Sequence, residues 1–530
     1  MFMELLDLHA DILVIGGGLA GLSAALQARQ AGCKVIVAAK GKIGRSGNTI
    51  MARNSIAAVL DNKGNKDSIA RHIKDTMDGG DYLNDEKLVA VLAGGAPEAV
   101  NWLMQHRVPF LCEEGHVIVK GSPGHSDKRV LTVDGSAFKS QKTPGLAITG
   151  PLTQEAKKQG IEILESVLIT SLLNKGGEIK GACGFDRRRE RAFTIKSRGV
   201  ILACGGAGSL YPFTTNTADV TGDGYALASE AGAKLKDLEF IQFHPCVTID
   251  SPRLVLSTAP FSDGAILTNN SGEQYMYQYS VQGNMATRDV MAQASFSEIN
   301  AGRGTGRKAV FMDFGGVKPG FMASKYADIK DYLQGKLKVE VAPAAHFEMG
   351  GVIIDNRCRT TLPGLYACGE VAGGVHGANR LAANALTEAV VFGLRAGKHA
   401  AAEVLRHCPV KYDKNQSEQL QCKKQNFSEF LPTHHESNAF RLIMQELRRL
   451  MGRHVSVVRY KDGHQKDFNG ITIMQERINQ TEPHDYRQLL DYHQVKLMLI
   501  SGYLISQAAL QREESKGAHY RADSIMNSEY

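Results

Sequence analysis

DILVIGGGLAGLSAALQARQAG, residues 11–32, decides the fold. Asp11–Ile15 reads as a buried strand, three glycines turn the chain, and LSAALQARQAG reads as a helix ending at Gly32. Gly16, Gly18 and Gly21 fit the GxGxxG dinucleotide pattern in the strand–turn–helix setting it requires. Glycine lets backbone approach a pyrophosphate closely, and a helix N-terminus offers it free N–H groups. The next strand, Lys34–Ala38, extends the unit. A nucleotide-binding strand of the NAD type ends in an acid for the ribose hydroxyls, and here the chain runs Ala38, Ala39, Lys40. The following GRSGNTIMARNSIAAV, residues 44–59, is rich in small and hydroxyl side chains and suits a loop beneath a pyrophosphate or a flavin.

Two later stretches repeat the pattern of apolar strand running into glycine. Val200–Ala203 leads into a glycine turn, with a helix opening at Thr221–Gly224. LPGLYACGEVAGGVHGANRLAANALTEAVVFG, residues 362–393, turns through a glycine loop around Glu370 and sets a polar knot at His376, Asn379 and Arg380. It then enters an amphipathic helix near Asn384, whose free N–H groups would face an anion or an electron-rich ring edge. Alone, this last stretch also reads as a glycine-rich surface loop before a core helix. Separate strand-to-glycine contacts along one ligand imply something long, such as FAD.

Composition narrows the class. A chain of 530 residues with 43% apolar content can bury substantial cores in two to four domains. A net charge of +7 with no dense basic run favours small anionic ligands over a nucleic-acid surface. Nine cysteines without a CxxC pair or a short-spaced Cys/His cluster argue against a metal or iron–sulfur site in this polypeptide. Cys33, Cys204 and Cys368 lie in apolar or glycine-rich contexts, so they read as reduced thiols of a cytoplasmic protein. The first apolar run follows acids rather than a basic segment, unlike a signal peptide, and Leu497–Leu510 is too short and interrupted to span a bilayer.

In chain order, residues 67–110 read as helices with Trp102 in a core, and Gly121–Arg129 as a turn-rich loop carrying His125. Helix and strand from Gly150 to Leu173 return to the nucleotide domain, and Glu178–Ile195 reads as a hairpin. Shorter strands and irregular loops from about Glu239 to Val341 suggest an inserted domain. Beyond His407, Phe440, Ile443, Leu447 and Leu450 follow helical spacing, as do Leu490, Leu497, Ile500, Leu504 and Ala508.

Taken together, GGGLAGLSAA, TTN, TGDG, EFIQFHP, RDV, AHFEMGG, GLYACGE, VHGANRL and REESKGAHYRAD resemble the flavoprotein subunits of succinate dehydrogenase and fumarate reductase, with L-aspartate oxidase as a close relative. The resemblance implies an α/β fold: a Rossmann-like FAD-binding domain over 1–238 and 342–406, an inserted α+β capping domain over 239–341, and a C-terminal helical domain over 407–530. It places the substrate-site histidines at His244 and His346, the proton-transferring arginine at Arg288, and the carboxylate-clamping arginine at Arg380. Substrate contacts are expected from Ser257 and Thr258. Cofactor contacts are expected from Gly16, Gly18, Gly21, Lys40, Ser46, Thr49, Ala52, Asp223, Glu370, Ala385 and Leu386.

Hydride transfer between flavin N5 and an alkene carbon builds negative charge toward the carboxylate. Arg380, His244 and His346 are the groups expected to stabilise it. Arginine stays protonated, so Arg288 acts as an acid only if a relay promptly reprotonates it.

Three departures from the family pattern bear on chemistry. Asn48 stands where respiratory members carry the flavin-linking histidine, which implies non-covalent FAD. Thr258 and Phe261 replace the acid and base that feed the arginine, Ser257 keeps a hydroxyl, and Phe261 suggests a larger or more apolar substrate. Ser122 stands where L-aspartate oxidases carry the glutamate that reads the substrate amine. The leading expectation is a fumarate reductase/succinate dehydrogenase-like enzyme acting on a small carboxylate, with electrons exchanged through a separate iron–sulfur or other electron-transfer subunit. L-aspartate oxidase forming iminoaspartate for NAD synthesis is the second reading, and an electron-transfer flavoprotein without its own substrate the third.

Overall fold

A computed structural model of the chain describes residues 3–53, 55–60, 66–122, 124–141, 143–250, 253–324, 326–406 and 438–525. The 11–32 stretch forms β1 (Glu4–Ile15) and α1 (Leu19–Gln30), followed by β2 (Val35–Ala39). The central sheet adds β3 (Glu162–Glu165), β4 (Val167–Lys175), β5 (Glu178–Asp186) and β6 (Arg191–Leu202) in the order β3-β2-β1-β6-β5-β4. From β3 to β6 the strands are parallel, and β5 and β4 continue antiparallel.

The expected hairpin at 178–195 and the buried strand at 200–203 share one continuous strand, β6. Its first half pairs with β5, and on the same edge its last residues pair in parallel with Leu365–Ala367. Strand β6 lasts 12 residues because it is buried nearly throughout, with β1 alongside from Glu4↔Arg191 to Ile15↔Leu202. That register has a functional consequence. Ile15, Leu202 and Ala367 lie side by side, so the turns at Gly16, Ala203 and Cys368 leave the sheet at one line. The carboxyl ends of parallel strands are where α/β sheets bind ligands.

The large core lies on both faces of this sheet, with Ile12, Leu13 and Val14 of β1 and Leu19, Leu22 and Leu26 of α1 all fully buried. Trp102 joins it from the helix Glu86–Gln105. Cys33, Cys204 and Cys368 are free, in keeping with their reading as thiols, and Cys183 is disulfide-bonded.

A second sheet is antiparallel and runs β7-β10-β9-β8, built from β7 (Ile241–Thr248), β8 (Ile266–Thr268), β9 (Val310–Asp313) and β10 (Lys338–Glu348). It has its own apolar cluster, including Leu256, Phe261, Met291 and Phe314. Strand β10 continues unbroken through positions 341 and 342, where the sequence reading divides capping from FAD-binding segments.

The C-terminal helices are Ala439–His454, Lys461–Asn479 and Tyr486–Gln511. Phe440, Ile443 and Leu447 are buried as expected, with Met451 completing the stripe. In the last helix Leu489, Val495, Met498, Leu499, Ser501, Ile505, Ser506 and Ala509 are fully buried, a broader face than the expected 490–508 stripe, of which Leu497 alone is buried. The helix packs on two sides, and Ser501 Oγ donates to the Gly222 carbonyl of the nucleotide-binding body at 2.7 Å. Residues 407–437 of the expected C-terminal unit lie outside the described residues. Among the described residues no helix is long and apolar enough to cross a membrane.

Candidate active site

The glycine turn is shaped by contact. Gly16 has φ +124°, and a Cβ there would lie 2.1 Å from the Ala203 carbonyl oxygen. A Cβ on Gly21 would lie 2.0 Å from the Gly16 oxygen. Helix α1 begins after Gly18, which caps it without a side chain, and its first turn holds no acid. Thr49 Oγ1 accepts from the Leu19 amide at 3.1 Å, which fixes the loop beneath this helix end. The remaining amide dipole suits a pyrophosphate, so the chain's cradle fits a dinucleotide.

Around it, Lys40 Nζ donates to Thr221 Oγ1 at 2.6 Å, Asp223 Oδ2 at 2.7 Å and Gln494 Oε1 at 3.2 Å. Lys40 and Asp223, expected as separate cofactor contacts, are therefore bonded to each other and tied to the C-terminal helix. Ser46 Oγ donates to the Lys42 carbonyl, and Ala52 packs partly buried against the main core.

Glu370 is brought to the same region. Its Oε2 accepts from Asn48 Nδ2 at 3.2 Å, and its Oε1 from the Glu348 amide at 3.2 Å. The Asn48 amide also donates to Asn216 Oδ1 at 2.6 Å. Burial pushes the Glu370 carboxyl up to about 7, and burial followed by the Glu370 charge pushes Glu348 up to about 8. This pair therefore retains a proton near neutrality. Ala385 and Leu386 sit in the first turn of the helix Asn384–Arg406, entered through Ala383 at φ +67°. Asn384 anchors that turn, its Oδ1 meeting His72 Nε2 at 2.9 Å and its Nδ2 donating to Thr76 Oγ1 at 3.0 Å. A strained non-glycine residue held by buried hydrogen bonds is typical of a ligand-facing turn.

The four candidate catalytic residues converge from four elements. His244 on β7 and His346 on β10 meet edge to face with ring centroids 5.4 Å apart. His244 Nδ1 accepts from the Cys246 amide at 3.3 Å, which leaves Nε2 as its N–H donor. His346 Nδ1 pairs with Thr215 Oγ1 at 2.8 Å. Burial, then the Arg288 charge, drives His244 well below its usual range; burial and Arg380 do the same to His346. Both rings are consequently neutral hydrogen-bonding groups at pH 7, and the positive charge belongs to the arginines.

Arg380 Nη2 donates to Gln242 Oε1 at 2.7 Å, and its guanidinium lies 4.8 Å from the Phe347 ring centroid. Its buried Nε meets no partner among the described residues. Gln242 Nε2 in turn donates to Asn379 Oδ1 at 2.7 Å and to the Arg380 carbonyl at 3.0 Å. Asn379 Nδ2 reaches Asp289 Oδ1 at 3.3 Å. Arg288 opens the helix Arg288–Asn300, and Asp289 faces Asn379 rather than forming an ion pair with it. Burial, followed by the charge of Arg53, lowers the Arg288 guanidinium below its usual range.

Several residues fall elsewhere. Ser257 Oγ accepts from the Ala259 amide at 3.1 Å, and Thr258 precedes the short turn Ala259–Asp263. Phe261 belongs to the capping-sheet core and is 6% exposed, so packing accounts for its ring and the inference of a larger substrate loses its basis. His376 Nε2 pairs with Glu388 Oε2 at 3.0 Å, both buried, and ties the loop to its helix. His125 Nε2 bonds the Ala382 carbonyl at 2.8 Å.

Gln242 and Thr215, which bond Arg380 and His346, are not marked as site residues in the sequence. Gln242 stands two positions before His244 on a strand, a period-2 signal for a shared face.

Residues 11–386 match the family described as FAD binding domain, and residues 444–528 match the fumarate reductase flavoprotein C-terminal family. The chain belongs to the succinate dehydrogenase/fumarate reductase flavoprotein family. It is 35% identical to one of the subunits of the fumarate reductase (CoM/CoB) of Methanothermobacter marburgensis, over 97% of this chain and 94% of that protein. It is 32% identical to the L-aspartate oxidase of Yersinia pestis, over 97% and 96%. A structure of E. coli quinol fumarate reductase superposes with a TM-score of 0.85 at 26% identity, covering 98% of this chain and 92% of that one. This family member is an FAD-dependent oxidoreductase with an FAD-binding domain, a capping domain and a C-terminal helical domain.

Proposed function

We propose that this flavoprotein reduces the C–C double bond of a small unsaturated carboxylate, fumarate being the simplest. One observation carries the reading: His244, His346, Arg288 and Arg380 converge, and the charged side chains acting most strongly on the first three are arginines. A site of that sign receives an anion.

When bound and reduced by an external electron donor, the flavin would supply the hydride from its N5. Arg380 holds one carboxylate, with Gln242 fixing the guanidinium in place, and His346 and His244 add N–H groups from rigid strands. Such preorganised donors stabilise charge as it develops on the carboxylate side. Arg288, held at a helix start without an ion pair among the described residues, gives its proton to the other carbon. It recovers that proton by a route other than the acid and base of the family pattern, since Thr258 offers no carboxylate and Phe261 is core.

The likeness to L-aspartate oxidase supports a second reading, oxidation of L-aspartate to iminoaspartate. A substrate ammonium group would meet arginines here, which ranks that reading below the first. The Methanothermobacter relative is named as one subunit of its fumarate reductase, which supports a separate electron-transfer partner for this chain as well.

The test is anaerobic. Dithionite-reduced protein should recover its oxidised flavin spectrum on addition of fumarate. Bleaching of the oxidised protein by L-aspartate, with no response to fumarate, would establish the oxidase instead. Silence toward both acids would overturn the two readings and leave an electron-transfer flavoprotein.

The Asn48 amide, bonded to Asn216 and Glu370, offers no nucleophile to the flavin. Acid precipitation should therefore release all FAD into the supernatant, measured by its visible absorbance. Flavin retained on the precipitated polypeptide would contradict non-covalent binding.

A further inference from the structure

Asn48 offers the flavin no nucleophile, yet its side chain joins three segments that lie far apart in the chain. Its Nδ2 donates to Asn216 Oδ1 at 2.6 Å and to Glu370 Oε2 at 3.2 Å, and its Oδ1 accepts from the Thr217 amide at 3.3 Å. A side-chain amide has two N–H donors, so both are in use. Asn48 itself opens the short turn Asn48–Met51, whose Thr49 fixes the start of α1. The junction is therefore anchored to the cofactor cradle.

From Asn216 the bonds run on to His346. Asn216 Nδ2 donates to the His346 carbonyl at 3.0 Å, and its neighbour Thr215 meets His346 Nδ1 at 2.8 Å. The same segment lies along β10: the Thr215 amide donates to the Ala345 carbonyl at 3.0 Å, and the Ala345 amide to the Phe213 carbonyl at 3.1 Å. His346 is thus held at its ring and its backbone by residues 213–216, and Asn48 holds Asn216 from the cofactor side. Two glycines leave the room these groups occupy. A Cβ on Gly208 would lie 2.5 Å from Asn216 Cγ, and one on Gly206 2.7 Å from Glu370 Oε1.

We propose that Asn48 is a positioning residue that couples the cofactor cradle to the substrate site, holding His346 in place for a carboxylate through Asn216 and Thr215. This rests on the reading that the site takes an unsaturated carboxylate. Without the Asn48 amide, Asn216 Oδ1 and the Thr217 amide lose their partner, and the segment that carries Thr215 is released from the cradle while its bonds to β10 remain. The cradle glycines and the Thr49 bond to α1 are untouched, so the flavin stays bound.

The test uses FAD-loaded wild type, Asn48→Ala, Asn216→Ala, His346→Gln and the double variant Asn48→Ala/His346→Gln. Malonate serves as an unreactive probe, titrated against the flavin absorption spectrum. Asn48→Ala should weaken malonate binding about 5- to 30-fold, the range for losing one or two hydrogen bonds. Asn216→Ala should weaken it to a similar degree. In the His346→Gln background, Asn48→Ala should cost no more than about a further twofold, because a residue acting through His346 has nothing left to position.

Flavin content and melting temperature certify the fold of each variant. The same loss in both backgrounds would mark a general structural role and overturn the assignment, as would wild-type malonate affinity in Asn48→Ala or in Asn216→Ala. Wild type that responds to neither malonate nor fumarate would sink the carboxylate reading itself, and the role of Asn48 with it.

Discussion

Arg288→Ala is expected to slow reoxidation of the reduced flavin by fumarate about 10²- to 10⁴-fold, the contribution of a positioned proton donor. The size follows from where the guanidinium sits. Burial and Arg53 both press on it, yet no carboxylate among the described residues holds it, because Asp289 is turned to Asn379. An arginine in an ordinary ion pair would be a tether, and its loss would register chiefly in stability. Here stopped-flow spectroscopy should show the loss in the oxidation step itself, with malonate still perturbing the flavin spectrum because Arg380, His244 and His346 remain.

Arg288→Lys sharpens the test. A lysine in this position is desolvated and faces Arg53, and both effects favour its neutral form, so its pKa falls below the usual value of about 10.4. The variant should keep part of the rate at low pH and lose it as pH rises through that lowered value, while wild type stays flat there. An alanine variant with unimpaired reoxidation would remove Arg288 from the chemistry.

Much of this site is legible in the sequence, for reasons that differ by residue. Gly16, Gly18 and Gly21 announce themselves because a turn shaped by backbone contact tolerates nothing larger, and that constraint is local. His244, His346, Arg288 and Arg380 emerge through motif order, since four elements far apart in the chain must meet. Their states are not legible there. That both histidines are neutral depends on burial beside two arginines, which no spacing encodes.

The contact of Arg53 is invisible in the sequence because its acceptor, the Val255 carbonyl, belongs to a capping segment about 200 residues later. Phe261 shows the opposite error: its position matches a functional residue of the family, while its side chain fills a core. The joined strand Arg191–Leu202 escapes notice because its two halves face different neighbours, β5 and Leu365–Ala367, and so carry different patterns.

Gly16→Ala is expected to remove flavin from the protein altogether. Two separate constraints act at this residue. Its φ of +124° is strained for any L side chain, and the added Cβ would lie 2.1 Å from the Ala203 carbonyl oxygen. Neither backbone can yield, since the Gly16 amide donates to Ala38 at 2.9 Å and the Ala203 amide to Ile15 at 2.8 Å. Relieving the clash means parting β1 from β6 at the line where the three glycine turns leave the sheet.

A loss on the order of 4 kcal/mol or more is the scale for strain combined with overpacking. Purified Gly16→Ala should be colourless and melt well below wild type. Gly32→Ala is the control: its φ is +98°, yet nothing lies within 4 Å of the added Cβ. That substitution should cost only the backbone term, about 1–2 kcal/mol, and leave the flavin bound in full. Equal flavin content in the two variants would show that the close approach of Gly16 to Ala203 is not what the cofactor site depends on.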